Sequence, residues 1–194
     1  MEISTLNLLL KSVRDAAPDR KIIVFGSSSL FASFPDTDPE LIGTAVTLDA
    51  DFFIDPDDEA LREKLDANFG EDHAFHAATG HYGDFVDLRL SESFPEGWRD
   101  RLVPVRGFEN VFALEPVDMA VTKVAATARS RLWRRLGRGG VDRGRKDINT
   151  LVALLRGERI RLETLQARLH HMDYDPALTV ECSQVMEEIV AELR

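Results

Sequence analysis

The chain has 194 residues, of which 44% are hydrophobic, and a formal net charge of −10. That is enough apolar material for a sizeable core in one large or two small domains, while a single cysteine, Cys182, excludes an internal disulfide, reads as a small buried apolar residue and fits a reducing compartment. No segment approaches the ~20 apolar residues of a membrane span, and the basic residues near the N-terminus follow its short apolar run rather than precede it, so a cytoplasmic location is expected.

Apolar residues at helical spacing (Ile3, Leu6, Leu9, Leu10, Val13) predict a first helix over residues 3–17, ended by Pro18-Asp19. KIIVF (residues 21–25) is a short buried strand. It runs into Gly26-Ser27-Ser28-Ser29, a turn that opens a helix of about two turns before Pro35, Asp36 and Pro39 impose a loop. Residues 44–54 are the next strand. Alternation puts Val46, Leu48, Ala50, Phe52 and Ile54 on one face and Thr47, Asp49 and Asp51 on the other. Asp57 or Asp58 caps a helix that ends near Asn68-Phe69-Gly70, with Gly70 as the expected left-handed residue. Residues 73–79 and 82–90 read as two strands turning at Gly80 or Gly83, and in FVDLRL the alternation buries Val86, Leu88 and Leu90 and sets Asp87 beside Arg89 on the opposite face. Residues 101–106 and 111–113 are further strand candidates.

From Glu115 the period changes from two to that of a helix. Pro116 suits the first turn of a long helix to about Leu136, GRGG breaks it, and helices are expected over residues 146–155, 161–171 and 176–193. The predicted fold is α+β: a mixed sheet with flanking helices over residues 1–113, then a helical bundle over residues 114–194 packed on it, since no Pro/Gly/Ser linker divides them. The charge is uneven. Residues 123–146 hold nine lysines and arginines against Asp142 alone, a net +8 that leaves −18 for the remainder. Such a segment attracts phosphates; it is equally readable as a solvated helix face whose arginine stems cover apolar surface.

The aspartates carry the chemistry. Asp49 and Asp51 point the same way, a neighbouring strand would add Asp87, and like charges so placed repel without a cation. Oxygen-only ligands suit Mg²⁺. A serine beside the unpaired N–H groups of a helix start makes a phosphate cradle out of the Gly26-Ser27-Ser28 turn. His73, His76 and His81 lack a metal-ligand spacing and read as exposed strand residues. His170-His171 closes a helix, where a positive imidazole complements the dipole, and Trp98 and Trp133 read as packing residues.

IIVFGSSS, TLDADFFI and FVDLRL together resemble the DNA polymerase beta type nucleotidyltransferase superfamily, with its Gly-Ser turn, DxD strand and later strand aspartate. KVAATAR (residues 123–129) followed by RKDINTLVALL (residues 145–155) is similar to the Lys helix and KD-x-x-x-L helix of the AbiEii-like nucleotidyltransferases, a group that includes type IV toxin-antitoxin toxins and enzymes that modify tRNA ends. The resemblance spans residues 20–156. It implies that Gly26, Ser27 and Ser28 hold the triphosphate of an NTP, with Lys123 and Arg129 as further nucleotide contacts. It also implies that Asp49 and Asp51, with Asp87, bind Mg²⁺ or Mn²⁺, and that Lys123 and Asp147 complete the catalytic site. The expected activity is transfer of an NMP to an acceptor hydroxyl with release of pyrophosphate. The basic segment favours a tRNA or other RNA acceptor, a protein or small-molecule acceptor fits the same core, and a cognate antitoxin is a further implied partner. The alternative is a noncatalytic interaction protein that retains the fold.

Overall fold

A computed structural model describes residues 3–42, 47–139 and 145–194 of the chain. KIIVF has no polar side chain after Lys21, so as a strand it must be covered on both faces. It is: β1 (Lys21–Phe25) is the central strand of a five-stranded sheet in the order β3-β2-β1-β5-β4, with β2 Asp49–Asp55, β3 Tyr82–Phe85, β4 Val103–Pro104 and β5 Val111–Ala113. β1 pairs antiparallel with β2 and parallel with β5, β2 pairs parallel with β3, and β4 pairs antiparallel with β5.

One face of the sheet, formed by Ile22, Val24, Ala50, Phe52, Ile54, Phe85, Val111 and Ala113, packs on Leu6, Leu9, Leu10 and Val13 of helix α1 (Ile3–Ala16) and Leu65 of α3 (Glu59–Phe69). On the other face Ile23, Phe25 and Phe53 join a larger cluster with the buried sides of α5 (Pro116–Arg135), α6 (Lys146–Arg156), α7 (Leu162–His170) and α8 (Pro176–Leu193). The sheet and the C-terminal helices therefore share one core, as the mixed α+β reading expects. Pro116 sits in the first turn of α5, where Glu115 accepts from Val117 N and Asp118 N. Cys182 is buried in the shared core, and desolvation pushes its thiol up to about 11, as suits a packing residue.

Four expectations change. Residues 73–79 form no strand: Ala74–Thr79 is a short helix, α4, because AFHAAT is alanine-rich and Gly80, at φ 72°, supplies a left-handed stop whose N–H returns to His76 O. Gly70 is extended rather than left-handed, and it is glycine because a Cβ there would sit 2.4 Å from Asp66 Oδ1 and 2.6 Å from Asp66 O. The strand expected over residues 82–90 stops at Phe85. Asp87 starts a 3-10 turn (Leu88–Ser93) by accepting from Arg89 N at 2.8 Å, which leaves Leu90 45% exposed. Of the strand expected over residues 44–54, residues 44–46 lie outside the described residues; Leu48 is not in the strand but lends its carbonyl to the Tyr82 N–H.

Candidate active site

The C-terminal end of β1 and the N-terminal ends of β2 and β3 lie along one edge of the sheet. Phe25 is opposite Asp51 across β1 and β2, while across β2 and β3 Asp49 is opposite Tyr82 and Asp51 opposite Asp84. Residues paired in register project to the same face, so Asp49, Asp51, Tyr82 and Asp84 stand together. They share their face with Phe53, whose ring stacks on Phe25 at 4.2 Å and 9° and lies against Phe94 and Trp98. The carboxylates thus rise from a rigid aromatic floor. Gly83 and Phe85 point the other way, and Gly83 is glycine because a Cβ would press to 3.0 Å against the Phe85 ring and 3.1 Å against that of Phe52.

Gly26 leaves β1 at φ 63°, and a Cβ on it would lie 2.1 Å from Asp51 Oδ2. Backbone conformation and space both demand glycine, and the close approach fixes the turn against the carboxylate. Ser28 is fully buried, and its hydroxyl donates to Asp49 O at 2.7 Å; Ser29 donates to Gly26 O at 2.8 Å. Ser28, expected at the nucleotide, ties the turn to the first residue of β2. Ser27 occupies the N-cap position of α2 (Ser28–Ser33) without using its side chain as a cap.

The carboxylate in register with Asp51 on β3 is that of Asp84. Asp87, expected beside Asp49 and Asp51, lies three residues further along, beyond the end of β3, at the N-cap of the 3-10 turn. Its charged neighbours are Arg89, at 2.8 Å from Nε, and Arg62; they hold its carboxyl down at about 2. Asp84 is exposed, and partial desolvation, then Asp49, Asp66 and Glu71, push its carboxyl up. Desolvation and the charges of Asp49, Glu71, Asp84 and Asp51 likewise raise the Tyr82 hydroxyl. Sequence reading passed over both Asp84 and Tyr82. The signal was the second aspartate three residues before Asp87, and it becomes legible only with the register of β2 and β3.

Lys123 and Asp147, which the resemblance assigns to the catalytic site, pair with each other: Nζ to Oδ1 is 2.6 Å, with side chains only 8% and 4% exposed. A desolvated ammonium already paired lacks the reach of a mobile phosphate clamp. Arg129 acts on Tyr174 and Cys182, on the side of α5 that meets α8. The basic segment is similarly occupied. Arg131 pairs with Glu188 at 2.7 Å, Arg135 with buried Glu181 at 2.5 Å, and Arg145 with Glu188 and Glu192; Asp142 and Arg143 lie outside the described residues. These arginines fasten α5 and the start of α6 to α8.

Among the described residues no three histidine, cysteine, aspartate or glutamate side chains converge as a ready-made metal cage. Mg²⁺ needs none, since one or two carboxylates with substrate phosphates and water usually hold it. Asp49 and Asp51, hard oxygen donors two residues apart on one face, fit that set.

Among the described residues no helix is long and apolar enough to cross a membrane. No curated protein and no solved structure matches the chain. One family model matches residues 2–131, which include Gly26, Asp49, Asp51 and Asp84 but not Asp147, half of the pair on which the likeness to the AbiEii-like group rests. That match takes in well over half of the sequence, and the chain therefore belongs to the family described as nucleotidyltransferase of unknown function, DUF6036.

Proposed function

We propose that the protein transfers a nucleoside monophosphate from an NTP to the hydroxyl of an acceptor, with Asp49 and Asp51 as ligands for Mg²⁺ or Mn²⁺. The observation that carries this reading is the seat of Gly26 against Asp51 at the sheet edge: the turn that would receive phosphates and the carboxylate that would share a cation with them are in contact. Backbone N–H groups of the Gly26-Ser27 turn face the phosphates. The divalent cation, when bound, neutralises charge on the transferring and leaving oxygens.

The acceptor oxygen forms a bond to the α-phosphorus, the bond from that phosphorus to the pyrophosphate oxygen breaks, and the hydroxyl proton passes to Asp84. A carboxyl raised above its ordinary range is the better base for that task. Lys123 and Asp147 hold α5 to α6 rather than touch the phosphates. The expectation of an RNA acceptor rested on residues 123–146, and the pairing of Arg131, Arg135 and Arg145 with α8 removes much of its support.

The test is incubation with each of the four α-labelled NTPs, Mg²⁺ and separate RNA, protein and small-molecule fractions. Label is expected in one fraction, abolished by Asp49→Asn with Asp51→Asn. Tight Mg·NTP binding without transfer to any fraction would instead identify a noncatalytic nucleotide-binding protein.

A further inference from the structure

Asp118 of α5 is fully buried, so its charge has to be met by cations where it stands. Two arginines meet it. Arg101, which ends a 3-10 turn (Trp98–Arg101), forks onto the carboxylate with Nε at 2.9 Å and Nη2 at 3.0 Å. Arg168 of α7 adds its Nη1 at 2.9 Å and also donates to Glu115. The second N–H of Arg101 Nη2 donates to Glu96 O at 2.8 Å. Each guanidinium is thereby fixed along one edge and open along another: Nη1 of Arg101, and Nε with Nη2 of Arg168, have no partner among the described residues.

Both arginines line a pocket of about 460 Å³, within the range of small-molecule sites. Gly97 lines it too, at φ 70°, and a Cβ there would lie 3.0 Å from Arg101 Nη1, so the loop leaves room for that donor at the pocket wall. Thr164, Ala167, Arg168 and His171 line the opposite side at the spacing of one helix face. Pro95, Ala167 and Met172 make the rest of the wall apolar. The lining includes none of Gly26, Asp49, Asp51 or Asp84.

We propose that this pocket is a second ligand site, separate from the carboxylate edge, and that it binds a small organic carboxylate with an apolar body. The Nε and Nη2 of Arg168 form the side-on fork that matches the two oxygens of a carboxylate, and Arg101 Nη1 supplies a further donor. Asp118 holds both guanidiniums in place before any ligand arrives, so little side-chain freedom is lost on binding. The ligand carries one negative charge rather than two. Arg101 and Arg168 are already balanced by Asp118 and Glu115, so every charge on the ligand is uncompensated in a partly dry site, and the exposed carboxylate of Glu96 adds repulsion. Pro95, Ala167 and Met172 receive the apolar body.

Calorimetric titration of the full chain tests this with phenylbutyrate and hexanoate as carboxylates, phenylbutanol as the uncharged counterpart of the first, and inorganic phosphate as the dianion. The expected result is one bound carboxylate per chain, with phenylbutanol and phosphate at least about tenfold weaker. Arg168→Lys keeps a cation beside Asp118 but removes the fork, and should weaken phenylbutyrate binding about tenfold. Ala167→Trp, at an exposed position of α7, fills the pocket without touching the ion pairs; it should abolish carboxylate binding and leave the thermal melt as in wild type. Absence of binding by both carboxylates, equal binding of phenylbutanol, tighter binding of phosphate, or unchanged carboxylate affinity in a folded Ala167→Trp or Arg168→Lys variant would each overturn the inference.

Discussion

Lys123 and Asp147, 24 positions apart in sequence, form a buried ion pair at 2.6 Å that locks α5 to α6. Removing one partner strands the other charge in the core, so Lys123→Ala or Asp147→Ala should each destabilise by about 3–5 kcal/mol, whereas Lys123→Met combined with Asp147→Leu should recover most of the loss. Denaturant unfolding measures the stability, and transfer per folded molecule should remain near wild type. A normal melting transition with transfer lost in both single variants would return the pair to the catalytic site.

Gly26→Ala tests the seat of the phosphate turn. The new methyl would overlap Asp51 Oδ2, and the residue would keep a positive φ at a cost of about 1–2 kcal/mol. The melting temperature should fall modestly, and transfer should fall much further than stability, since the turn can relax only by moving away from Asp51. Proportionate losses of both would make Gly26 a fold residue alone.

Asp84 and Asp87 separate by pH as well as by activity. The Asp87 carboxyl is held down at about 2 by Arg89, so its contribution is present above its ordinary 3.8 and is lost as pH falls towards 2. Asp87→Asn should therefore lower stability at neutral pH, converge with wild type in acid, and leave transfer intact. Asp84 is raised, so ionisation works against the fold: its contribution is present below 3.8 and is lost as pH rises through the raised value. Without metal, Asp84→Asn should gain on wild type as pH rises above about 4 while losing transfer by roughly 100-fold. Thermal melts across pH beside turnover assays decide between the two carboxylates.

The arginines of α5 are expected to report on folding. Arg135→Ser leaves Glu181, 3% exposed, without its ion-pair partner and should cost about 1–3 kcal/mol. Nucleotide affinity should not change. A variant of full stability with weakened RNA binding would restore the polynucleotide surface that the sequence suggests.

Elements defined by their own period were legible in the sequence. α1, α8, β1 and β5 follow from apolar spacing and Pro or turn signals, and the face of β2 that carries Asp49 and Asp51 follows from alternation. What the sequence hides is pairing. Nothing local to GDFVDL says that Asp84 rather than Asp87 stands beside Asp51; the strand ends at Phe85 because Asp87 bonds its own downstream backbone. The charge run of α5 reads as a phosphate surface only while the glutamates of α8, more than 40 residues away, are out of view. α4 is too short for a helical period to show.

The family match ends at residue 131, inside α5, which continues to Arg135. What is recognisable as shared inheritance thus stops partway along a helix whose buried side, Val121, Val124, Ala125 and Ala128, belongs to one cluster with Val185 and Ile189 of α8. A polypeptide cut at the end of the match would keep the carboxylate edge of the sheet and present a wide apolar flank to solvent. Transplanting this chemistry into another scaffold requires the C-terminal helices, or some other cover of equal apolar area, to travel with it.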